Sequence, residues 1–431
     1  MKVVAFLPAK GSSERVENKN IKLLDGKPLF LHNLEKLSEC EFIDEVYLDS
    51  ESDLIFELAS EVNCKCMKRD PALATNKTDG HQLFYNEAKQ VEADIYIQML
   101  GTSPFIKKQT IEKGVEILKK YSKYDSVVLV RKEKQYLWDD NQPQYDKNHI
   151  PNSFNLPDTV VETMGLYIVR KQVALEKKMR FGDNCYLLEA EALEAVDVNY
   201  PDDFELASYI AAGKREKERQ LFKNISSVLT SSILSDILDD LNIDGVIRDF
   251  KLNIPSKRVF GRAKTLKLRA LKEGENYEGI YDALNSYDTI VPNDIIMVEN
   301  ECSQYAYFGD LNANMAIRSG AIAAVIGGYS RDVRKVTELD FPLFAKGYVC
   351  RDVRKRATTE SINKQIQIQG VKINPGDLVF GDSDGIVVIP RHLEQEVLKL
   401  AFETISKEKN VVYSIMVGNS AQNILESIGE F

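Results

Sequence analysis

Lys10, Arg15, Lys19 and Lys27 place four cations within eighteen residues, around Gly11, Ser12 and Ser13 and directly after an apolar run from Val3 to Leu7. Small residues let backbone N–H groups approach a polyanion closely, and the cations offset its charge. The chemistry that fits this spacing is binding of a triphosphate. The Gly-x-x-x-x-Gly-Lys-[Ser/Thr] order of the P-loop is absent. On spacing alone, the same stretch also fits a surface loop whose charges are solvated. A second cluster is Arg331-Asp332 at the end of a small-residue run, Gly320 to Gly328. An arginine there can grip a carboxylate bidentately and the aspartate can hold a divalent ion, although the pair equally fits a surface ion pair or a helix cap.

The elements that must position these groups follow from periodicity. Val3 to Leu7 reads as a strand, and Leu29, Leu31, Leu34 and Leu37 form a helical stripe from Pro28 to Cys40. Glu45–Ser50 reads as a strand, Asp53–Val62 as a helix, and Gly80 opens another helix after Thr78-Asp79. Asp94–Leu100 is a buried-type strand ending in Gly101-Thr102-Ser103-Pro104, and Val160–Val169 is a further strand. Alternation of strand and helix predicts a parallel sheet with ligands at the carboxyl ends of its strands. Lys132 to Asn155, which holds the one tryptophan, Trp138, reads as a long excursion from that sheet. Asp202 is placed to cap a helix running to Ala212. Gly213 to Arg219 is a charge run that fits a linker or an exposed helical turn, and from about Phe222 the pattern restarts. Ser232–Leu241 reads as a helix, Gly261–Leu268 and Pro292–Val298 as strands, and Gly309-Asp310-Leu311 precedes a helix to Arg318.

A chain of 431 residues exceeds what one core usually organises, so two domains are expected. Its 44% hydrophobic and 28% charged content is that of an ordinary soluble protein, and a net charge of −10 without a basic block argues against nucleic acid or an anionic membrane as partner. Val3 to Leu7 is too short for a signal peptide or a membrane span, so a cytoplasmic location is expected. The six scattered cysteines fit reduced thiols, and Cys64-Lys-Cys66 has no second pair at zinc spacing.

Pro8-Ala9-Lys10-Gly11-Ser12-Ser13-Glu14-Arg15, then Lys19-Asn20-Ile21 and Gly26-Lys27-Pro28-Leu29, resembles the nucleotide-binding signature of the acylneuraminate (CMP-sialic acid type) cytidylyltransferase family. Lys10 stands where the family has Arg, Ser12 where it has Gly and Glu14 where it has Lys. Arg69 to Thr75 is similar to the family's Arg-Pro-x-x-Leu-Ala segment, with Asp70 inserted and Asn76 at a place usually acidic. Leu100-Gly101 replaces the Gln-Pro of its Gln-Pro-Thr-Ser-Pro loop, which leaves Gln98 as a substitute candidate. Ala195 to Leu206 resembles its Asp-Ile-Asp segment, with Asn199 in place of the second aspartate. The resemblance implies CTP contacts at Pro8, Ala9, Lys10, Gly11, Ser12, Ser13, Arg15, Lys19, Asn20, Lys27, Thr102 and Ser103. It implies sugar contacts at Gln98, Glu162 and Thr163, and Mg²⁺ or Mn²⁺ at Asp197 and Asn199, two residues apart and therefore on one face of a strand. Lys10, Arg15, Lys27 and Asp197 are the implied catalytic groups.

Gly309-Asp310-Leu311, Gly320 to Asp332, Phe341 to Ala345, Pro375 to Val379 and Asp382 to Pro390 occur in an order similar to the RraA-like family, which includes 4-hydroxy-4-methyl-2-oxoglutarate aldolases. This resemblance implies 2-oxo-acid binding by Arg331 and the Gly309–Leu311 backbone, with Arg331 as the catalytic group, and Mg²⁺ at Asp310 and Asp332. The expected fold is α/β. A Rossmann-like nucleotidyltransferase (GT-A-like) domain spans 1–214, a linker 215–221, and an RraA-like α/β domain of the swivelling β/β/α type 222–431. The expected activity is transfer of CMP from CTP to a 2-keto-3-deoxy sugar acid, joined to a pyruvate aldolase or 2-oxo-acid lyase activity, with pyruvate as a further reactant, in a homo-oligomer. Two alternatives stay open: a second domain that is a non-catalytic oligomerisation or protein-binding module, and activation of another acid such as a phosphonate, or of a sugar phosphate.

Overall fold

The computed structural model describes residues 1–13, 15–75, 77–417 and 422, so Glu14 and Asn76 lie outside the described residues. The chain divides into two units, Met1–Ala212 and Gly213–Phe431.

In the first unit the apolar run from Val3 to Leu7 is wholly buried at the centre of a sheet. Alternation splits it between two cores: Val3, Ala5 and Leu7 pack on one face, and Val4 and Phe6 on the other. In space the strands run Cys185–Glu189, Ser126–Glu133, Thr159–Arg170, Ile95–Met99, Val3–Pro8, Glu45–Ser50 and Lys65–Lys68. Val3–Pro8 pairs in parallel with both neighbours, as expected. The sheet is not parallel throughout, because Thr159–Arg170 returns from the long excursion and pairs antiparallel with Ile95–Met99 and Ser126–Glu133. The excursion contains a short hairpin, Trp138–Asp139 with Gln142–Pro143, and leaves Trp138 and Phe154 exposed.

Three expectations need correction here. The helix after Glu45–Ser50 is only Asp53–Leu58. The segment carrying Asp197 forms no strand; it is held by the Val198 N–H donating to Thr102 O at 2.9 Å. Asp202 does not cap the next helix. That role falls to Asp203, whose Oδ2 accepts from the N–H groups of Asn199 and Tyr200 at 2.9 and 2.8 Å, so a carboxylate in the first turn reaches back over the helix start. The helix itself runs Pro201–Ser226 and includes residues 215–221.

In the second unit Val259–Ala270, Asp294–Asn300, Ala323–Ser330 and Leu343–Tyr348 form a parallel centre. Leu378–Gly381 and Ile386–Ile389 extend it antiparallel. Small residues make Ala323, Ala324, Val325 and Ile326 fully buried from both sides. The helix Asp310–Ser319 starts after the short strand Ala306–Phe308, beside the end of Ala323–Ser330, so Asp310 and Arg331 come to one rim. No described helix is long and apolar enough to cross a membrane.

Candidate functional site

In the first unit, the loop after Val3–Pro8 is built by hydrogen bonds from outside it. The Ala9 N–H donates to Asp49 O at 2.9 Å, Asn20 Nδ2 donates to Lys10 O at 2.6 Å, and the Gly11 N–H donates to Glu51 Oε1 at 2.7 Å. Gly11 must be glycine, since a Cβ there would lie 2.5 Å from Ser52 Cβ. Lys19 is buried, and its ammonium donates to Val198 O at 2.7 Å; burial pulls its pKa down, with the Asp197 charge opposing. Ser103 Oγ donates to Asp197 Oδ1 at 3.1 Å, and Asn199 Nδ2 donates to Asp197 Oδ2 at 2.6 Å. Lys19, Thr102, Ser103, Asp197 and Asn199 are therefore joined in one bonded set, while Arg15 lies 5.5 Å from the Tyr200 ring centroid. Ser12 is exposed and Ser13 half-buried.

Some expected contacts point elsewhere. The Lys27 ammonium is paired with Glu35. Thr163 is buried and its hydroxyl donates to Leu129 O at 3.0 Å, so it is engaged within the sheet rather than offered to a sugar. Glu162 is exposed and accepts from the Tyr167 hydroxyl. Gln98 is wholly buried, because it lies on Ile95–Met99, an interior strand paired on both sides, and its amide donates to Glu87.

That amide belongs to a cluster the sequence did not disclose. Arg69 reaches Asp49 Oδ2 with Nε at 3.0 Å and Nη2 at 2.8 Å, and all of Asp49, Arg69, Glu87 and Gln98 are buried. Burial, and then the facing Asp49 charge, push the Glu87 carboxyl well above its ordinary range. A protonated Glu87 donating to Asp49 satisfies Asp49 Oδ1 and Glu87 Oε1, which otherwise have no partner among the described residues. Nearby, the buried Arg180 lies over the Tyr167 ring at 4.9 Å, in space that Gly80 leaves open. Arg69, Glu87 and Arg180 come from scattered segments, and no spacing rule unites them. A separate open surface groove of about 710 Å³, with Lys132, Lys134, Asp158 and Glu189 in its wall, is lined by none of the expected site residues.

In the second unit, Arg331 Nη1 pairs with Asp352 Oδ2 at 2.7 Å and its Nε lies 3.5 Å from Asp332 Oδ2. Lys335 Nζ donates to Asp310 Oδ2 at 2.9 Å and holds that carboxyl below its ordinary range. The Leu311 N–H donates to Asp310 Oδ1 at 3.0 Å, so this expected substrate donor is engaged by the neighbouring carboxylate. Gly309 lets the strand end close on the helix, since a Cβ there would lie 2.6 Å from Asp332 Oδ2. Asp332 has φ of 53°, a left-handed backbone that a single aspartate tolerates. Asp352 and Lys335 escaped the sequence reading; Asp352 is brought in by backbone pairing of residues 351–353 with Ala306.

Residues 232–388 match the family profile described as Aldolase/RraA, and residues 4–179 match the one described as Cytidylyltransferase. Protein DlpA of Legionella pneumophila is 28% identical over 46% of this chain and 32% of its own length. A protein of Halalkalibacterium halodurans, provisionally named a 4-hydroxy-4-methyl-2-oxoglutarate aldolase, is 32% identical over 40% of this chain and 78% of its own. The N-acylneuraminate cytidylyltransferase of Escherichia coli O18:K1:H7 is 25% identical over 52% of this chain and 55% of its own. The chain thus spans about a third of the first relative and about half of the third.

Proposed function

Since the chain belongs to the Aldolase/RraA family through residues 232–388 and matches the Cytidylyltransferase profile over residues 4–179, we propose that it is a two-activity enzyme of sugar-acid activation. Its first unit transfers CMP from CTP to a 2-keto-3-deoxy sugar acid. Its second unit makes or cleaves such an acid at the 2-oxo end, with pyruvate as one fragment.

The observation that supports the transferase most is the bonded set of Lys19, Thr102, Ser103, Asp197 and Asn199 at the carboxyl ends of the strands. In the reaction, the acceptor's anomeric hydroxyl attacks the α-phosphorus, the bond to the β-phosphate oxygen breaks and pyrophosphate leaves. Lys10 and Arg15 offset the charge of the triphosphate, and the Ser103 hydroxyl fixes the Asp197 carboxylate in one orientation. Asp197 and Asn199 offer a carboxylate and an amide oxygen, hard donors that fit a Mg²⁺ or Mn²⁺ ion keeping phosphate and water ligands once the Asn199 amide, whose Nδ2 donates to Asp197 Oδ2, turns its oxygen to the ion. Bound there, the ion would supply Lewis-acid stabilisation of the phosphates.

In the second unit Arg331 holds the acid's carboxylate, and Asp310 and Asp332, both hard oxygen donors at one rim, fit Mg²⁺. A second reading, in which this unit is a non-catalytic oligomerisation or protein-binding module, is favoured by one observation: Arg331 and Asp310 are already paired, with Asp352 and Lys335. Pyrophosphate release from CTP and Mg²⁺ across a panel of ulosonic acids tests the transferase. Release with one acid that is abolished by Asp197→Ala is expected; release from none of them, or release indifferent to Asp197, overturns it.

A further inference from the structure

A triphosphate loop works through backbone N–H groups that are open to phosphate oxygens. In this protein the N–H of Gly11 is occupied: the Glu51 carboxylate accepts it at 2.7 Å. The contact is built in. Residues 51 and 52 follow the strand Glu45–Ser50 and pack directly on the loop, so closely that a Cβ on Gly11 would meet Ser52 Cβ at 2.5 Å. The strand end below them is pinned by the Ala9 N–H on Asp49 O at 2.9 Å, by Arg69 Nη2 on the same oxygen at 2.8 Å, and by the Ser52 N–H on Ser50 Oγ at 3.1 Å. Glu51 Oε2, the second carboxylate oxygen, is buried and has no hydrogen-bond partner among the described residues. A carboxylate presents the same charge and acceptor geometry as a phosphate edge, and one N–H cannot serve both anions.

We propose that Glu51 is an internal anion seated in the phosphate loop at Gly11, and that a nucleoside triphosphate binds by displacing it, so that Glu51 sets the affinity for the nucleotide. This rests on the reading of the loop as a triphosphate site. When the phosphate arrives, the Gly11 N–H passes from Glu51 Oε1 to a phosphate oxygen, and both carboxylate oxygens, including the unpartnered Oε2, regain water. Discrimination follows from charge: a ligand with one phosphate gains less at the loop than one with three, while the displacement cost is the same for both.

Titration calorimetry of the full chain with CTP and, separately, with inorganic tripolyphosphate, each with Mg²⁺, tests this. The variants are Glu51→Gln, which keeps an acceptor and removes the charge, Glu51→Ala, which removes both, and Glu57→Gln, which removes the same charge from an exposed position on the neighbouring helix. Thermal melting confirms that each variant is folded. Glu51→Gln is expected to tighten both ligands about threefold to fivefold, the scale of one screened charge interaction at a partly exposed site. Glu51→Ala should tighten them at least as much and Glu57→Gln should leave them unchanged, and the gain should shrink as salt rises. Unchanged or weaker binding in folded Glu51→Gln overturns the displacement and leaves the transferase reading standing. Tighter tripolyphosphate with no CTP binding in any protein upholds the displacement and overturns the transferase. Binding of neither ligand to any of the proteins overturns both.

Discussion

Arg331 is oriented by a carboxylate twenty-one residues further along the chain. Asp352 Oδ2 lies 2.7 Å from its Nη1, and Asp352 Oδ1 is itself fixed by the Arg354 N–H at 2.5 Å. If Arg331 grips a 2-oxo acid, its fork must stay aimed. Asp352→Ala is therefore expected to weaken oxalate, a 2-oxo-acid mimic, roughly two- to fivefold, the scale of one partly exposed ion pair. Asp352→Asn, which keeps an acceptor in place, should stay closer to the wild type; calorimetry that finds Asp352→Ala as tight as the wild type removes Asp352 from the site. Glu87 gives a pH prediction. Its folded pKa is raised by burial and by Asp49, so the fold binds a proton that the unfolded chain releases above the ordinary value of 4.5. That contribution is complete below 4.5 and is lost as pH rises toward the folded value, at roughly 1.4 kcal/mol per pH unit for one proton. Denaturant melts across this window should show the stability of the wild type relative to Glu87→Gln falling as pH rises, since the Gln amide can donate to Asp49 without a titrating proton. Equal slopes would contradict a protonated Glu87.

At the scale of elements, Thr159–Arg170 crosses the Ser103 turn with no room to spare. A Cβ on Gly165 would lie 2.5 Å from Ser103 Oγ and 2.7 Å from Ile106 Cδ1, and the Leu100 N–H donates to Gly165 O at 3.0 Å. Gly165→Ala should cost about 1–3 kcal/mol through overpacking. Because Ser103 holds Asp197, it should also lower kcat for pyrophosphate release more than its loss of stability explains. A melt and an assay that both match the wild type would show that the turn yields freely. Most of these elements were legible in the sequence, for local reasons. Val3 to Leu7 could only be a buried strand, and Leu29, Leu31, Leu34 and Leu37 could only bury one helix face. What could not be read depends on partners distant in sequence. Asp203 rather than Asp202 caps the long helix because the chain turns at Tyr200. Thr163 and Gln98 lie on strands, where alternation alone does not say which face is closed by Leu129 or by Glu87. Asp49, Arg69 and Glu87 meet only because a strand, a loop and a helix converge at one sheet edge.

At the scale of the whole molecule, the chain carries two units in one polypeptide, Met1–Ala212 and Gly213–Phe431, and the two family profiles match one in each. Two ordered motif sets and a pattern that restarts near Phe222 point to two domains in the sequence, whereas the continuous helix Pro201–Ser226 across residues 215–221 was hidden by a charge run that reads equally as linker or helix. The i, i+3 pair of Glu216 with Arg219 supports the helix locally, and Glu218 ties it to Arg262 on the strand Val259–Ala270. The central proposal is that both units act on one class of substrate, because forming or cleaving a 2-keto-3-deoxy acid and activating it with CMP are consecutive operations on the same 2-oxo end. The most direct measurement incubates the full chain with each member of a panel of such acids and Mg²⁺, quantifying pyruvate without CTP and the CMP-linked acid with CTP. One acid should give both products, with pyruvate lost in Arg331→Ala and the CMP adduct lost in Asp197→Ala. An acid that yields the CMP adduct while no acid in the panel yields pyruvate, or products that survive both substitutions, would contradict it.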